Sequence, residues 1–178
     1  MGQRAINTSE VIFEDVLVPI KNRLGEEGQG FNIFLESLAR NKAWIAAASV
    51  GLARAALEAA IQYAQERVQF GQPIASFQAI QFMLADMAIK IEGARLLTWQ
   101  AARLVDQELR HTHPSAIAKC YASDIAMEVT IDALQIFGGY GYIKEYPVEK
   151  YMRDAKAFQI YMGTNQIQRY IIAQALLR

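Results

Sequence analysis

Over most of the chain, apolar residues recur every three or four positions, the spacing of one face of a helix. From about Phe31 to Arg67 the stripe takes in Phe34, Leu38, Ile45, Ala48, Leu52, Ala56, Ala60 and Tyr63. Small residues dominate between Ala46 and Ala60, so a second helix can approach closely there. Phe70-Gly71-Gln72-Pro73 stops this helix. Ser76 reads as the N-cap of a second helix, running to about Leu109, with Ile80, Met83, Leu84, Met87 and Ile91 on its apolar side. Thr112 and Pro114 open a third, to about Ile136, which ends at Gly138-Gly139. Tyr146-Pro147 starts a short fourth helix to about Ala155. Thr164 or Asn165 caps a fifth, and Asn165 with Gln168 has the spacing of a capping box. Residues 10–18 differ: Glu-Val-Ile-Phe-Glu-Asp-Val-Leu-Val is β-branched and partly alternating, a predicted strand ended by Pro19. A lone strand is not stable alone, so this one is expected to pair with a sheet outside the chain or to lie across the helices.

These elements predict an all-α fold, an antiparallel four-helix-bundle-like domain of about five helices preceded by a short β segment. Three helices of this length span roughly 40–55 Å each at 1.5 Å per residue. The last two, being short, together supply the fourth side. Trp44, Ile89 and Trp99 fall outside a single stripe. Helices apolar on more than one face are buried on more than one side, which points to an oligomer or a multidomain contact.

Composition narrows the class. With 178 residues, 53% hydrophobic and 20% charged, the chain can form one domain with a sizeable core. Formal net charge is zero, which argues against nucleic acid or an anionic membrane as partner. No uninterrupted apolar run approaches the ~20 residues of a membrane span. The single Cys120 cannot form an internal disulfide and suits a reducing compartment: the cytoplasm, or the mitochondrial matrix in a eukaryote. Glu108-Leu-Arg-His111 matches one Glu-x-x-His unit of a di-iron bundle, but two are required, and the other histidine, His113, lies in the same loop.

Two glycine turns carry more information: Phe137-Gly138-Gly139-Tyr140-Gly141-Tyr142, and Tyr161-Met162-Gly163-Thr164-Asn165-Gln166-Ile167-Gln168-Arg169. With Val11-Ile-Phe-Glu-Asp-Val16, Gly28-Gln-Gly-Phe31, Glu66-Arg67-Val-Gln-Phe70-Gly71, Phe77-Gln78-Ala-Ile80, Tyr146-Pro147-Val-Glu149 and Met152-Arg153-Asp154-Ala155, they stand in the order and spacing of one family. The chain resembles the C-terminal domain of flavin-dependent acyl-CoA dehydrogenases over essentially its whole length. The resemblance implies that residues 1–24 are the end of a middle β-domain with its linker, and residues 25–178 the C-terminal helical-bundle domain.

The resemblance also implies FAD as cofactor, an acyl-CoA substrate, a homodimer or homotetramer, and electron-transfer flavoprotein as electron acceptor of the intact enzyme. Arg67, Phe70 and Gln78 are then expected to contact the ADP half of an FAD held mainly by a neighbouring subunit, with Gln135 and Gly139 near the same FAD. Thr164 and Gln166 are expected to contact the adenosine end of FAD from within the subunit. Lys42 and Gly163 fall at substrate-contacting positions. Members of the family remove the substrate's α-proton with a glutamate just before the Gly-Thr pair, or from a position on the first bundle helix. Here these positions hold Met162 and Asn41, and neither is a base near neutral pH. Three explanations stand at this point: a base elsewhere, a different flavin and CoA reaction, or a non-catalytic helical module. The chain alone, as a truncated product or separate domain, is expected to bind FAD poorly and to be inactive.

Overall fold

The computed structural model describes residues 1–177. Five helices follow one another: α1 (Gly30–Glu66), α2 (Gln78–Asp106), α3 (Thr112–Phe137), α4 (Val148–Phe158) and α5 (Asn165–Leu176). Short connectors make α1, α2 and α3 successive antiparallel neighbours. The helix α3 is the hub, packing on all four others. The helices α4 and α5 cover the side of α3 left open by α1 and α2, giving the predicted bundle.

Alanine explains how closely these helices pack. Ala43, Ala46, Ala53, Ala56, Ala60 and Ala64 of α1 and Ala118, Ala122, Ala126 and Ala133 of α3 are all buried in one core. Side chains of one carbon let backbones approach, while Met87, Ile91, Ile125 and Val129 fill the remaining space. Among the described residues α1 is the one helix long and apolar enough to cross a membrane by length and composition. Its alanine stripe is instead part of this core. Trp44 and Trp99 remain 74% and 62% exposed, facing a cavity of about 590 Å³ between α1 and α2.

At the helix starts, two expectations fail, the Ser76 cap and the Asn165–Gln168 capping box, while the Thr164 cap is formed. The helix α2 starts at Gln78, and Ser76 closes a short 3-10 turn, Ile74–Ser76, without capping it. The helix α5 is capped by Thr164 alone, whose Oγ1 accepts from the Ile167 N–H at 3.3 Å. The capping-box pairing of Asn165 with Gln168 is not formed, because both side chains turn inward to buried partners.

The predicted strand at 10–18 is absent. These residues are exposed loop with a left-handed kink at Asp15 (φ 48°), because among the described residues no strand pairs with them. Among the described residues the one ladder is a hairpin missed in the sequence, β1 (Val68–Gln69) against β2 (Gln72–Pro73), between α1 and α2. Residues 1–3 dock on α4: the Gln3 main-chain N–H donates to an Asp154 carboxylate oxygen, and Arg153 Nη1 donates to the Met1 carbonyl at 2.7 Å.

Candidate functional site

The turn between α4 and α5 is built from two successive left-handed residues, Met162 (φ 55°) and Gly163 (φ 84°). Glycine adopts this conformation freely, whereas a residue with a Cβ loses about 1–2 kcal/mol in it. Something must therefore hold Met162. The Gly163 carbonyl accepts two hydrogen bonds, from Lys119 Nζ at 2.8 Å and from Gln168 Nε2 at 2.9 Å. Gln168 Nε2 also reaches the Met162 carbonyl at 3.4 Å.

Lys119 reaches the turn from the N-terminal third of α3 and is 0% exposed. Its second partner is Asn165 Oδ1, at 2.8 Å. The Asn165 amide is fixed in turn: its Nδ2 donates to Ser123 Oγ at 2.8 Å and to Asp124 Oδ1 at 2.7 Å. Ser115, Lys119 and Ser123 are spaced by four and form a polar line along the buried face of α3. Burial lowers the Lys119 ammonium to a pKa of about 8, and the charge of Lys42 pushes it the same way. Burial also lowers Lys42 on α1. Asp124 ends below its ordinary value. Burial alone would raise it, but hydrogen bonds from Arg169, Gln159 and Asn165 outweigh that.

A second cleft, of about 530 Å³, opens where α1 and α3 end. Arg67 and Gly139 line it, with Tyr63, Phe137 and Tyr140. Tyr63 stacks on Phe137 at 4.0 Å between centroids, and the Arg67 guanidinium sits 5.1 Å from the Tyr140 ring centre. Phe70 stands at the tip of the hairpin, left-handed (φ 54°) and 91% exposed. Gln78 and Gln135 are exposed near their helix ends.

Residues 28–177 match the sequence profile of the acyl-CoA dehydrogenase C-terminal domain. The chain belongs to the acyl-CoA dehydrogenase family. It is 51% identical, over 178 residues, to the short-chain specific acyl-CoA dehydrogenase of Megasphaera elsdenii, covering 100% of this chain and 46% of that protein. The butyryl-CoA dehydrogenase structure of the same organism superposes with a TM-score of 0.92 at 51% identity, over 94% of this chain and 44% of that one. A chain in a structure of the electron transferring flavoprotein of Acidaminococcus fermentans matches with a TM-score of 0.92 at 55% identity, over 94% and 44%. The chain thus spans about half the length of the relatives it matches.

Acyl-CoA dehydrogenases are flavoproteins, so the two clefts can be tested against FAD. At the α3 end, a Cβ added to Gly138 or Gly139 would meet nothing within 4 Å, so a ligand can approach the backbone closely there, although the Gly138 N–H is already donated to the Gln135 carbonyl. A helix C-terminus repels anions, and Arg67 supplies the missing positive charge for a pyrophosphate. These residues fit the cofactor. Thr164 and Gln166 lie elsewhere, lining a cavity of about 340 Å³ with Asp124, Lys156 and Arg169. The structure therefore groups Arg67 with Gly139, and Thr164 with Gln166, in separate clefts. Asn41 is half-buried on α1, where its Nδ2 donates to Ser37 Oγ at 3.4 Å. Lys119, Ser123 and Asp124, which organise the turn, were not singled out in the sequence. The available signal was one cation in the apolar run Ala116-Ile117-Ala118-Lys119-Cys120. Among the described residues no group of three or more His, Cys, Asp or Glu is placed to hold a metal. His111 instead meets Glu36 at 3.3 Å.

Proposed function

We propose that this chain is the C-terminal helical part of an FAD-dependent oxidoreductase acting on an acyl-CoA thioester, in which Met162 occupies the place of the usual base. The observation that carries this reading is the Met162-Gly163 turn, capped by Thr164 and held in a left-handed pair on a family-typical scaffold. The names of the matched relatives, short-chain specific and butyryl-CoA dehydrogenase, support a CoA thioester of a short acyl chain. Residues 1–24 belong, on this reading, to the end of a preceding β-domain.

FAD, when bound, accepts a hydride from the substrate β-carbon. The protein's share is to bind, orient and exclude water. Arg67, Phe70 and Gln78 receive the ADP half of an FAD seated on a second subunit, and Gln135 and Gly139 approach the same FAD. Thr164 and Gln166 approach the FAD of their own subunit. Exposed Trp44 and Trp99 make the α1–α2 face an assembly surface for a homodimer or homotetramer. An electron-transferring flavoprotein is the matching electron acceptor, a role supported by the Acidaminococcus fermentans structure and the caffeyl-CoA reductase–Etf complex subunit of Acetobacterium woodii, 49% identical. The setting is cytoplasmic, or the mitochondrial matrix in a eukaryote.

Met162 leaves α-proton removal without its customary carboxylate, and loss of a general base lowers rates by about 10²–10⁴. Met162→Glu in the intact protein is expected to raise oxidation of a straight-chain acyl-CoA by a factor in that range. No gain would favour the second reading that Met162 itself motivates: a different flavin and CoA reaction, or a non-catalytic helical module.

A further inference from the structure

We propose that Lys119 is a positioning residue for residue 162: its buried ammonium pins the Gly163 carbonyl, fixes the turn that aims the 162 side chain, and makes that spot favourable to an anion. The role of residue 162 rests on the functional reading above; the clamp itself rests on geometry.

A lysine with no exposed surface calls for a partner. No carboxylate forms an ion pair with Lys119 among the described residues; its two hydrogen-bond acceptors are neutral, the Gly163 carbonyl and Asn165 Oδ1, each at 2.8 Å. A side chain needed only to fill space there would be as well served by methionine or leucine. The charge is instead spent on a backbone oxygen one residue from position 162, in the turn where Met162 is left-handed. Asn165 transmits the constraint, because Ser123 and Asp124 fix its amide and its backbone begins α5. Gln168 adds a second donor on the same carbonyl, from the next turn of α5.

The charged and titratable groups that act on the ammonium are Cys120 and Asp124 on α3 and Lys42 on α1, while Arg169 on α5 faces Cys120 and Asp124. Asp124 is already engaged by Arg169 at 2.7 Å. An ammonium bonded to the carbonyl of the residue next to position 162 favours the ionised form of an acid placed there.

The clamp can be read without any turnover. In the intact protein carrying Cys120→Ser, a thiol is introduced by Met162→Cys, and its alkylation by iodoacetamide is followed against pH by peptide mass spectrometry. Lys119→Met should move the alkylation midpoint up by a few tenths of a pH unit, less than a permanent charge would give because Lys119 itself releases its proton near pH 8, and alter the plateau rate. Lys119→Gln removes the charge but keeps an N–H donor; it should move the midpoint equally while holding the plateau rate closer to that of the parent. If the methionine variant does not fold, the glutamine variant alone decides. An unchanged midpoint in a folded variant overturns the proposal. A second arm uses Met162→Glu: adding Lys119→Met should lower kcat at least tenfold with KM changed less than about threefold, whereas equal kcat overturns the positioning role. If Met162→Glu yields no dehydrogenation, the functional reading fails and the thiol titration still tests the clamp.

Discussion

Lys119 Nζ and Asn165 Oδ1 meet at 2.8 Å, an ammonium set on a buried amide oxygen rather than on a carboxylate. A neutral partner offsets little of the cost of burying charge, which is why burial takes Lys119 from an ordinary 10.5 to about 8. The consequence for stability has a definite sign. Below about pH 8 folded and unfolded chains both hold the proton, and the folded state bears the full desolvation cost. Between about 8 and 10.5 the folded chain releases the proton first, so the cost fades and stability rises with pH. Urea midpoints of parent and Lys119→Met, compared at pH 7.5 and pH 10, should show the parent gaining relative to the variant at the higher pH. A gap independent of pH would show that the ammonium is not buried.

Gly163→Ala should destabilise the α4–α5 turn. The left-handed φ of 84° disfavours any Cβ, and the added carbon would stand 2.8 Å from Gln168 Nε2, one of the two donors on the Gly163 carbonyl. Backbone strain alone accounts for about 1–2 kcal/mol, and displacing Gln168 adds to it. Denaturant unfolding should register a loss of roughly 2 kcal/mol. A loss below ~0.5 kcal/mol would show that the turn can relax.

Ala56→Leu tests the close approach of the helices. Ala56 is 0% exposed within the alanine-rich core shared by α1 and α3. Extra methylene groups in a packed core typically cost about 1–3 kcal/mol. The same substitution at exposed Ala47 should stay within about 0.5 kcal/mol. Equal effects at the two positions would refute tight packing on the Ala56 side.

The three long helices were legible because a 3.6-residue period persists through 25 or more residues, and the two short ones because glycine and proline turns mark their starts. The 68–73 hairpin was not, since strands of two residues carry no period. Residues 10–18 misled for the opposite reason: β-branched residues favour a strand, but a strand also requires a partner, which local sequence does not reveal. At the site, Gly163 and Thr164 were visible as a glycine turn and a cap. Lys119 was not, because a lysine within a helix ordinarily reads as a solvated position, and its partners Gly163 and Asn165 lie 44 and 46 residues further on. Only the fold brings them together.

Phe70 separates stability from ligand binding. It occupies the first loop position of a two-residue hairpin turn, with Gly71 at the second, and both have positive φ. Such turns favour Asn-Gly, so phenylalanine there is strained. Its ring makes an edge contact with Phe77 at 6.1 Å yet remains 91% exposed, which recovers little of that strain within this chain. Phe70→Asn should therefore stabilise the hairpin, raising the unfolding free energy by up to about 1 kcal/mol. If the ring is presented to the FAD of a second subunit, the same substitution should lower flavin retention by the assembled intact protein, measured as the ratio of flavin to protein absorbance after gel filtration. Opposite movements of the two readouts are expected. Unchanged flavin content alongside higher stability would remove Phe70 from the cofactor site and leave its strain without a functional counterpart.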